Sequence, residues 1–107
     1  MTFHVHIIRD AEDDIFHIYR YISLNDSIGN AEYVFEKIQQ TCDSLSQNPE
    51  RGHYPPELEQ TGILEYREIH FKPYRIIYNI AGRDVLIHCI LDGRRDLQEL
   101  LERRLLR

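Results

Sequence analysis

YREIHFKPYRIIYNIAGRDVLIHCILDGRRDL, residues 66–97, is the stretch that decides the fold of this 107-residue chain. Together with the residues just before it, the stretch contains three apolar segments, at residues 63–71, 74–80 and 85–91, each of which we predict to be a strand. The dipeptide Lys72-Pro73 and the Gly-containing residues 81–84 are typical of tight connections between strands. Residues 85–91 are apolar at nearly every position, which indicates a central strand covered on both faces.

The N-terminal third of the chain predicts one more strand, followed by a helix. Residues 3–8 alternate between two faces, as the residues of a strand do. Apolar residues then recur at helical spacing over residues 11–22, and Asp10 is placed to cap the start of this helix. Residues 23–30, which are rich in Ser, Asn and Gly, predict a turn.

A second helical pattern follows this turn, over residues 31–45, and is expected to end before Asn48-Pro49 because proline disfavours helix in the residue that precedes it. Two helices with a short connection predict an antiparallel helix hairpin. Residues 48–62 contain three of the four prolines and predict an irregular loop.

The C-terminal end predicts a short amphipathic helix, with Asp96 at its N-cap and an apolar stripe that includes Leu97, Leu101 and Leu105. Two interpretations of this stripe stay open: packing on the chain's own sheet, or binding a partner. The chain is thus predicted to be a single α+β domain spanning residues 1–107. It would combine an N-terminal strand, a helix hairpin packed on one face of a mostly antiparallel sheet, and the C-terminal helix. The other face of the sheet is expected to be at least partly open to a ligand or partner.

Composition and charge narrow the classes of function. The sequence contains no long apolar run of the kind that indicates a membrane span or a secretory signal. Both cysteines lie in apolar patterns, so we expect a cytoplasmic protein with buried free thiols. The net charge is −5, divided between −7 over residues 1–64 and +2 over residues 65–107. This acidic balance disfavours a nucleic-acid ligand, since proteins that bind phosphates usually carry a basic excess.

No strong catalytic or nucleotide-binding motif is present, but three arginines could form a site. If the three strands are adjacent, Arg67, Arg75 and Arg94 could converge on one rim and bind an anionic group through their planar guanidinium groups. The alternative, which we favour, is that the interleaved acids Glu68, Asp92 and Asp96 pair with these arginines structurally.

The histidines are a weaker candidate for a site. His4, His6, His70 and His88 all lie on predicted strands, and their convergence would create metal ligands. No acid or cysteine completes a recognisable ligand spacing, so we predict no metal and no cofactor.

Several motifs, taken together, resemble toxins of the RelE/ParE superfamily, from type II toxin–antitoxin and plasmid-stabilisation modules. The resemblance covers essentially the whole chain. Its most specific parts are the Pro-x-x-Gly of residues 49–52, Arg67-Glu68, the Pro-Tyr-Arg-Ile-x-Tyr of residues 73–78 and the Arg-Arg-Asp-Leu of residues 94–97. These details are more similar to the ParE-like branch than to the RelE-like branch.

The resemblance implies a growth inhibitor that is neutralised by a cognate antitoxin, within a toxin–antitoxin hetero-oligomer. ParE-like toxins inhibit DNA gyrase, whereas RelE-like toxins cleave mRNA on the ribosome. Many members of the superfamily carry histidine where this chain has Asp92, and adjacent arginines would lower the pKa of this carboxyl group. We therefore expect a non-enzymatic gyrase inhibitor.

The residues expected to bind partners lie on the strands and in the C-terminal tail: Arg67, Arg75, Asp92, Arg94, Arg95, Leu97, Leu101 and Leu105. In the alternative, an mRNA endonuclease acting on the ribosome, the catalytic group would comprise Arg67, Arg75, His88 and Arg94. A third possibility is a module of toxin origin that binds its antitoxin but has lost toxicity.

Overall fold

A four-stranded sheet with helices on both faces forms the computed structural model, which describes residues 2–106. The elements follow in the order β1 His4–Ile7, α1 Arg9–Asn25, α2 Ile28–Asp43, α3 Pro56–Glu59, β2 Arg67–Phe71, β3 Tyr74–Ala81, β4 Asp84–Asp92 and α4 Gln98–Leu105. The strand order in the sheet is β1-β4-β3-β2. Pairing is antiparallel throughout β2, β3 and β4, and β1 pairs with β4 in parallel. The predicted α+β architecture and the central position of β4 are confirmed.

The helix hairpin of α1 and α2 covers one face of the sheet. Alternate residues of β3 and β4 point into this layer, because successive strand side chains face opposite sides. Tyr78 is the largest fully buried side chain, and it lies in the same cluster as Ile15 of α1 and Ile38 of α2. Side chains of β2, β3 and β4 thus form the main core together with those of the two helices, and the side chains of β1 pack at its margin.

The opposite face of the sheet is covered in its middle by α4. Ile77 and Cys89 pack there against Leu97 and Leu101, and all four side chains are buried. The C-terminal helix therefore packs on its own sheet. Both cysteines are free and buried, as predicted, with Cys42 in the hairpin layer and Cys89 under α4.

The start of α1 differs from the prediction. The helix begins at Arg9, the N-cap position is occupied by Ile8, and no side chain caps it, so the assignment of Asp10 as N-cap is wrong. The physical reason is that the Ile8 N–H is still bonded to the Ile87 carbonyl, while the Ile8 carbonyl already accepts the first helical bond from Glu12. Asp10 lies instead in the first turn, where its charge suits the positive end of the helix dipole.

The turn between the two helices is shorter than the turn predicted at residues 23–30. Ser23 and Asn25 hydrogen-bond back to carbonyl groups of α1, so the helix continues through them. Ser27 then caps α2, its hydroxyl accepting from the Asn30 N–H at 3.0 Å. The connection is therefore reduced to Asp26 and Ser27.

The predicted strand at residues 63–71 begins only at Arg67. The residues before Arg67 contact helices and do not pair with β3. The Ile63 N–H bonds to the Leu58 carbonyl at the end of α3, and Tyr66 packs beside α4. The loop at residues 48–62 is also more regular than predicted, since it contains a 3-10 turn at Pro49–Arg51 and the short helix α3. At the C-terminal end, α4 begins at Gln98 with Leu97 as N-cap, so the assignment of Asp96 as N-cap is wrong by one residue. The Asp96 carboxylate still accepts from the Gln98 N–H at 3.2 Å.

The strand β4 extends beyond the end of its neighbour β1, so part of its edge has no strand partner among the described residues. The β1 pairing covers only residues 84–87, which leaves the later backbone groups of β4 without a strand partner on this side. Asp14 of α1 accepts from the Ile90 N–H at 2.9 Å, and Arg104 of α4 donates to the His88 carbonyl at 2.8 Å. The same two side chains pair with each other at 3.0 Å, so one ion pair closes the edge and connects both helical layers.

The Pro49–Gly52 segment is held to the sheet by the buried hydroxyl group of Tyr78. This hydroxyl donates to the Pro49 carbonyl at 2.6 Å and accepts from the Gly52 N–H at 3.2 Å. A Cβ atom on Gly52 would lie 2.4 Å from the Tyr78 oxygen and 2.8 Å from the Glu68 carbonyl oxygen. The absence of a side chain at residue 52 therefore permits this close approach.

We predict that Gly52→Ala destabilises the fold by about 1–3 kcal/mol, because the added methyl group overpacks a buried site. Gly29→Ala is the matched control, since the nearest atom to its added Cβ is 4.0 Å away and alanine is a better helix former than glycine. Urea unfolding followed by circular dichroism measures both variants. Equal stability of the two variants would contradict the packing argument.

Candidate functional site

An open groove lies between α1 and the C-terminal end of β4, and we call it the strand-end groove. It brings together three residues of the predicted partner-binding set, Asp92, Arg94 and Arg95. Its apolar lining comes from α1 and from the neighbouring strands, and includes Ile18, Tyr21, Ile22, Tyr74 and Ile90. Aromatic rings and arginines in one groove are the residue types that contribute most to protein–protein binding.

Asp92 and Arg94 form one tight unit at this groove. The Arg94 guanidinium donates to Asp92 at 2.6 and 3.0 Å, and the Arg94 N–H donates to the same carboxylate at 2.9 Å. These hydrogen bonds hold the pKa of Asp92 below its usual value, as expected from the sequence. Asp92 is thus a carboxylate at neutral pH and is not suited to act as a base there.

Arg75 is held by two acids on the face of the sheet that carries α4. Its guanidinium makes two hydrogen bonds to Glu57, at 2.6 and 2.7 Å, and its Nε donates to Glu68 at 2.6 Å. Hydrogen bonding to Glu57 raises the pKa of Arg75, and the same contact lowers the pKa of Glu57. Glu68 is only 2% exposed, so this ion pair compensates a buried charge. For Arg75, the structural interpretation is the one that the geometry supports.

Arg67 lies on the other face of the sheet from Arg75. In the pairing of β2 with β3, Arg67 lies opposite Tyr78 and Arg75 lies opposite His70. Because residues 67 and 70 are an odd number of positions apart on β2, the side chains of Arg67 and Arg75 project from opposite faces of the sheet. The Arg67 guanidinium donates to the Gly52 and Glu50 carbonyls at 3.0 and 3.3 Å and lies over the Tyr54 ring. The expectation that Arg67, Arg75 and Arg94 converge on one rim is therefore wrong, because strand alternation separates the first two.

His88 is engaged separately from these arginines. Its Nε2 lies 2.6 Å from the Asn79 amide oxygen, and its ring packs edge-to-face against Tyr66. Burial lowers the pKa of His88, with the charge of Arg104 acting in the same direction. The four residues of the nuclease alternative are thus each held by different partners.

The leucines of the predicted partner-binding set are largely occupied within the chain. Leu97 and Leu101 are buried against the sheet, and Leu105 is half-buried beside them. A partner could reach Leu97 or Leu101 only by displacing α4.

A second surface was missed by the sequence reasoning. An apolar depression on the outside of the helix hairpin, which we call the hairpin groove, is lined mainly by Ile7, Ile15, Phe16, Tyr19 and Phe35. The side chains of Phe16 and Phe35 are 58% and 43% exposed, whereas phenylalanine side chains are usually buried in the core. The signal was present in the sequence, because Phe16 directly follows Ile15 and so broadens the apolar stripe of α1 beyond the width that one sheet can cover.

Within residues 2–106, no helix combines the length and apolar character that crossing a membrane would require.

Comparison with known proteins gives matches to a family model, to a curated protein and to solved structures. The family model described as "ParE toxin of type II toxin-antitoxin system, parDE" matches residues 5–97. Toxin ParE3 of Caulobacter vibrioides is 29% identical over 89 residues, which cover 83% of this chain and 85% of that protein. A solved structure described as the chromosomal ParDE TA system from P. aeruginosa has a TM-score of 0.69 at 18% identity, and the match covers 83% of this chain and 94% of that one. At this identity, the structural match supports the fold alone.

We predict that Arg75→Ala destabilises the fold by about 3–5 kcal/mol, because it leaves the buried Glu68 carboxylate without its guanidinium partner. Arg94→Ala is the matched control: it removes an exposed guanidinium from the Asp92 pair and should change stability little. Urea unfolding at neutral pH measures the free energy of unfolding of each variant. Similar losses in the two variants would refute the assignment of Arg75 as the structural arginine.

Proposed function

The chain belongs to the ParE toxin family of type II toxin–antitoxin systems, and from this premise we propose that it arrests growth by inhibiting DNA gyrase in the cytoplasm. A cognate antitoxin holds it inactive in a hetero-oligomer. The observation that carries this proposal is the family match over residues 5–97, which includes every strand except the first residue of β1.

The chemistry of the strands supports a target that is bound and not cleaved. Arg75 is neutralised by two carboxylates, and Arg67 donates to two backbone carbonyl groups on the other face of the sheet. Phosphoryl chemistry needs cationic donors that converge where negative charge develops, together with a group that transfers a proton. Asp92, where the resemblance to the superfamily implies a histidine, is an ion-paired carboxylate. The net charge of −5 also opposes binding to RNA.

We assign the gyrase contact to the strand-end groove. Arg94 and Arg95 are exposed there, and Tyr21 projects from α1 into the same region. Arginine and tyrosine provide both charge and contact area at interfaces, and this groove carries the part of the predicted partner-binding set that is accessible.

We assign antitoxin binding to the hairpin groove. Exposed apolar surface of this kind is a liability for a free protein and is typical of a site that a partner covers. An amphipathic segment of the antitoxin would place its apolar side chains against Phe16 and Phe35, the mode by which helices bind in apolar grooves.

We predict that the purified chain abolishes supercoiling of relaxed plasmid by gyrase, and that the double variant Arg94→Ala/Arg95→Ala needs at least tenfold more protein for the same effect. The reason is loss of the two exposed guanidinium groups at the strand-end groove. Arg83→Ala, at the opposite end of β4, is the matched control and should inhibit like the unmodified chain.

Growth after induction without antitoxin is followed in parallel with the supercoiling assay. Growth arrest with unaffected supercoiling would exclude gyrase as the target, and new mRNA ends within translated codons would then identify the nuclease alternative. Normal growth would indicate a chain that has lost toxicity.

We also predict that Phe16→Ser/Phe35→Ser weakens antitoxin binding by at least thirtyfold, equivalent to about 2 kcal/mol, because two apolar anchors are lost. Isothermal titration calorimetry with the antitoxin encoded beside this chain measures the effect. Leu64→Ser is the matched control, since Leu64 is 53% exposed but lies in the loop before β2. Unchanged affinity of the double variant would remove the hairpin groove as the antitoxin site.

A further inference from the structure

Two histidines and a glutamate meet at the edge of the sheet formed by β2. The Nε2 atom of His53 lies 3.0 Å from Glu68 Oε2, and the Nε2 atom of His70 lies 3.7 Å from Glu68 Oε1. The three ligand-type atoms all lie within 4.8 Å of one another, and the two imidazole rings are 5.1 Å apart between centroids. Among the residues that the structure describes, this is the one group of three such side chains that is close enough to share an ion.

The spacing of these atoms matches a common metal centre. Zinc binds imidazole nitrogen and carboxylate oxygen at about 2.0–2.2 Å, so two ligand atoms of a tetrahedral site lie about 3.4 Å apart. The Nε2 atoms of His53 and His70 lie 3.0 and 3.7 Å from the two different oxygens of Glu68, and the three ligand atoms all lie within 4.8 Å of one another. Rotation of the two exposed imidazole rings would therefore bring the three ligand atoms to this spacing.

The backbone fixes these three residues relative to one another. Glu68 and His70 are two residues apart on β2, so their side chains project from the same face. His53 is joined to Glu68 by a pair of backbone hydrogen bonds of 3.1 and 2.7 Å. The three side chains thus belong to one rigid piece of sheet, which lowers the entropic cost of gathering them around an ion.

The surroundings of Glu68 also suit a cation. Arg75 fixes the carboxylate through hydrogen bonds to both of its oxygens, as outer-shell partners of metal ligands do. Each carboxylate oxygen has two lone pairs, so Arg75 leaves coordinating capacity on both. Glu57 and Glu68 together with Arg75 carry a net charge of −1, while the exposed imidazoles of His53 and His70 leave the outer side open to water.

We propose that His53, Glu68 and His70 form a binding site for a borderline divalent transition metal, with Zn²⁺ as the best fit. Two imidazoles with one carboxylate favour this class over Mg²⁺ and Ca²⁺, which prefer oxygen ligands. Water completes the coordination from the exposed side. The ion ties the loop that contains His53 to the edge strand β2, so its role is to stabilise this edge.

This site departs from the sequence-based prediction of no metal, which considered the set of His4, His6, His70 and His88 and did not include His53. Two of the histidines in that set are engaged elsewhere: His6 pairs with Asp84 at 2.8 Å, and His88 contacts Asn79. His53 was missed because it precedes Glu68 by fifteen positions in the sequence, and only the backbone pairing brings the two residues together.

The test uses the full chain, freed of metal with a chelator and titrated with Zn²⁺ alone. We expect one ion per chain by competition with a chromogenic chelator, and a higher Tm at saturating Zn²⁺, because an ion that binds only the folded state stabilises it. His53→Ala and His70→Ala should each weaken Zn²⁺ binding at least tenfold and abolish most of the Tm shift.

His4→Ala is the matched control, because His4 and His6 share one exposed face of β1 and are the competing place for an ion. It should leave Zn²⁺ affinity unchanged. Loss of binding in His4→Ala, equal affinity of all variants, or no binding at 100-fold excess of Zn²⁺ would each overturn the proposal.

A second measurement on the unmodified chain does not depend on the folding of any variant. In histidine-selective NMR spectra, Zn²⁺ should shift the ring resonances of His53 and His70 and leave those of His4 and His6 unchanged. The reverse pattern would place the ion on β1 and overturn the proposal. Neither experiment uses gyrase or antitoxin, so the outcome is independent of the proposed function.

Discussion

The open edge of β4 is the constraint on which the rest of the structure depends. The central strand carries both cores, yet β1 is too short to cover its whole length, and an unpaired backbone group in a buried position costs free energy. Asp14 and Arg104 satisfy these groups from opposite layers and neutralise each other. Burial raises the pKa of Asp14 although Arg104 opposes this, which marks the pair as partly desolvated. One ion pair therefore fixes α1, β4 and α4 relative to one another.

A second ion-pair network, around Glu68, explains why the arginines of the strands contribute little to the accessible surface. The Glu68 carboxylate is buried on β2, and Arg75 and the flanking histidines surround it. Arg75 compensates the buried charge of Glu68 and is therefore not accessible to a partner. The exposed arginines of the predicted partner-binding set are Arg94 and Arg95, which follow β4. The division of roles between similar side chains thus follows from their burial. The same network that removes Arg75 from the surface leaves two imidazoles beside a fixed carboxylate.

Periodicity in the sequence was sufficient to predict the four strands, the helices α1, α2 and α4, and the α+β class, because alternation in strands and helical spacing are local properties; the short helix α3 was missed. The central position of β4 could also be predicted, since both of its faces are apolar. Tertiary hydrogen bonds could not be predicted: the Ile8 N–H bonds to β4, which moves the start of α1 and leaves Asp10 without a capping role. The separation of Arg67 from Arg75 depends on the register between β2 and β3. The pairing of His53 with Glu68 depends on the path of the loop between them, and no sequence pattern predicts that path.

The parallel pairing of β1 with β4 also sets when the fold can form. Val5 lies opposite Val85, and Asp14 contacts Arg104, which is 90 residues further along the chain, so the contacts that hold β1 and α1 to the sheet have a long sequence separation. Contacts of such long sequence separation form late and slow the folding of a small domain. During synthesis, β1 and the helix hairpin leave the ribosome before the strand on which they pack has been made. A chain that has been synthesised only as far as the helix hairpin therefore lacks a complete core, and any activity of the folded sheet begins only after β4 has been made.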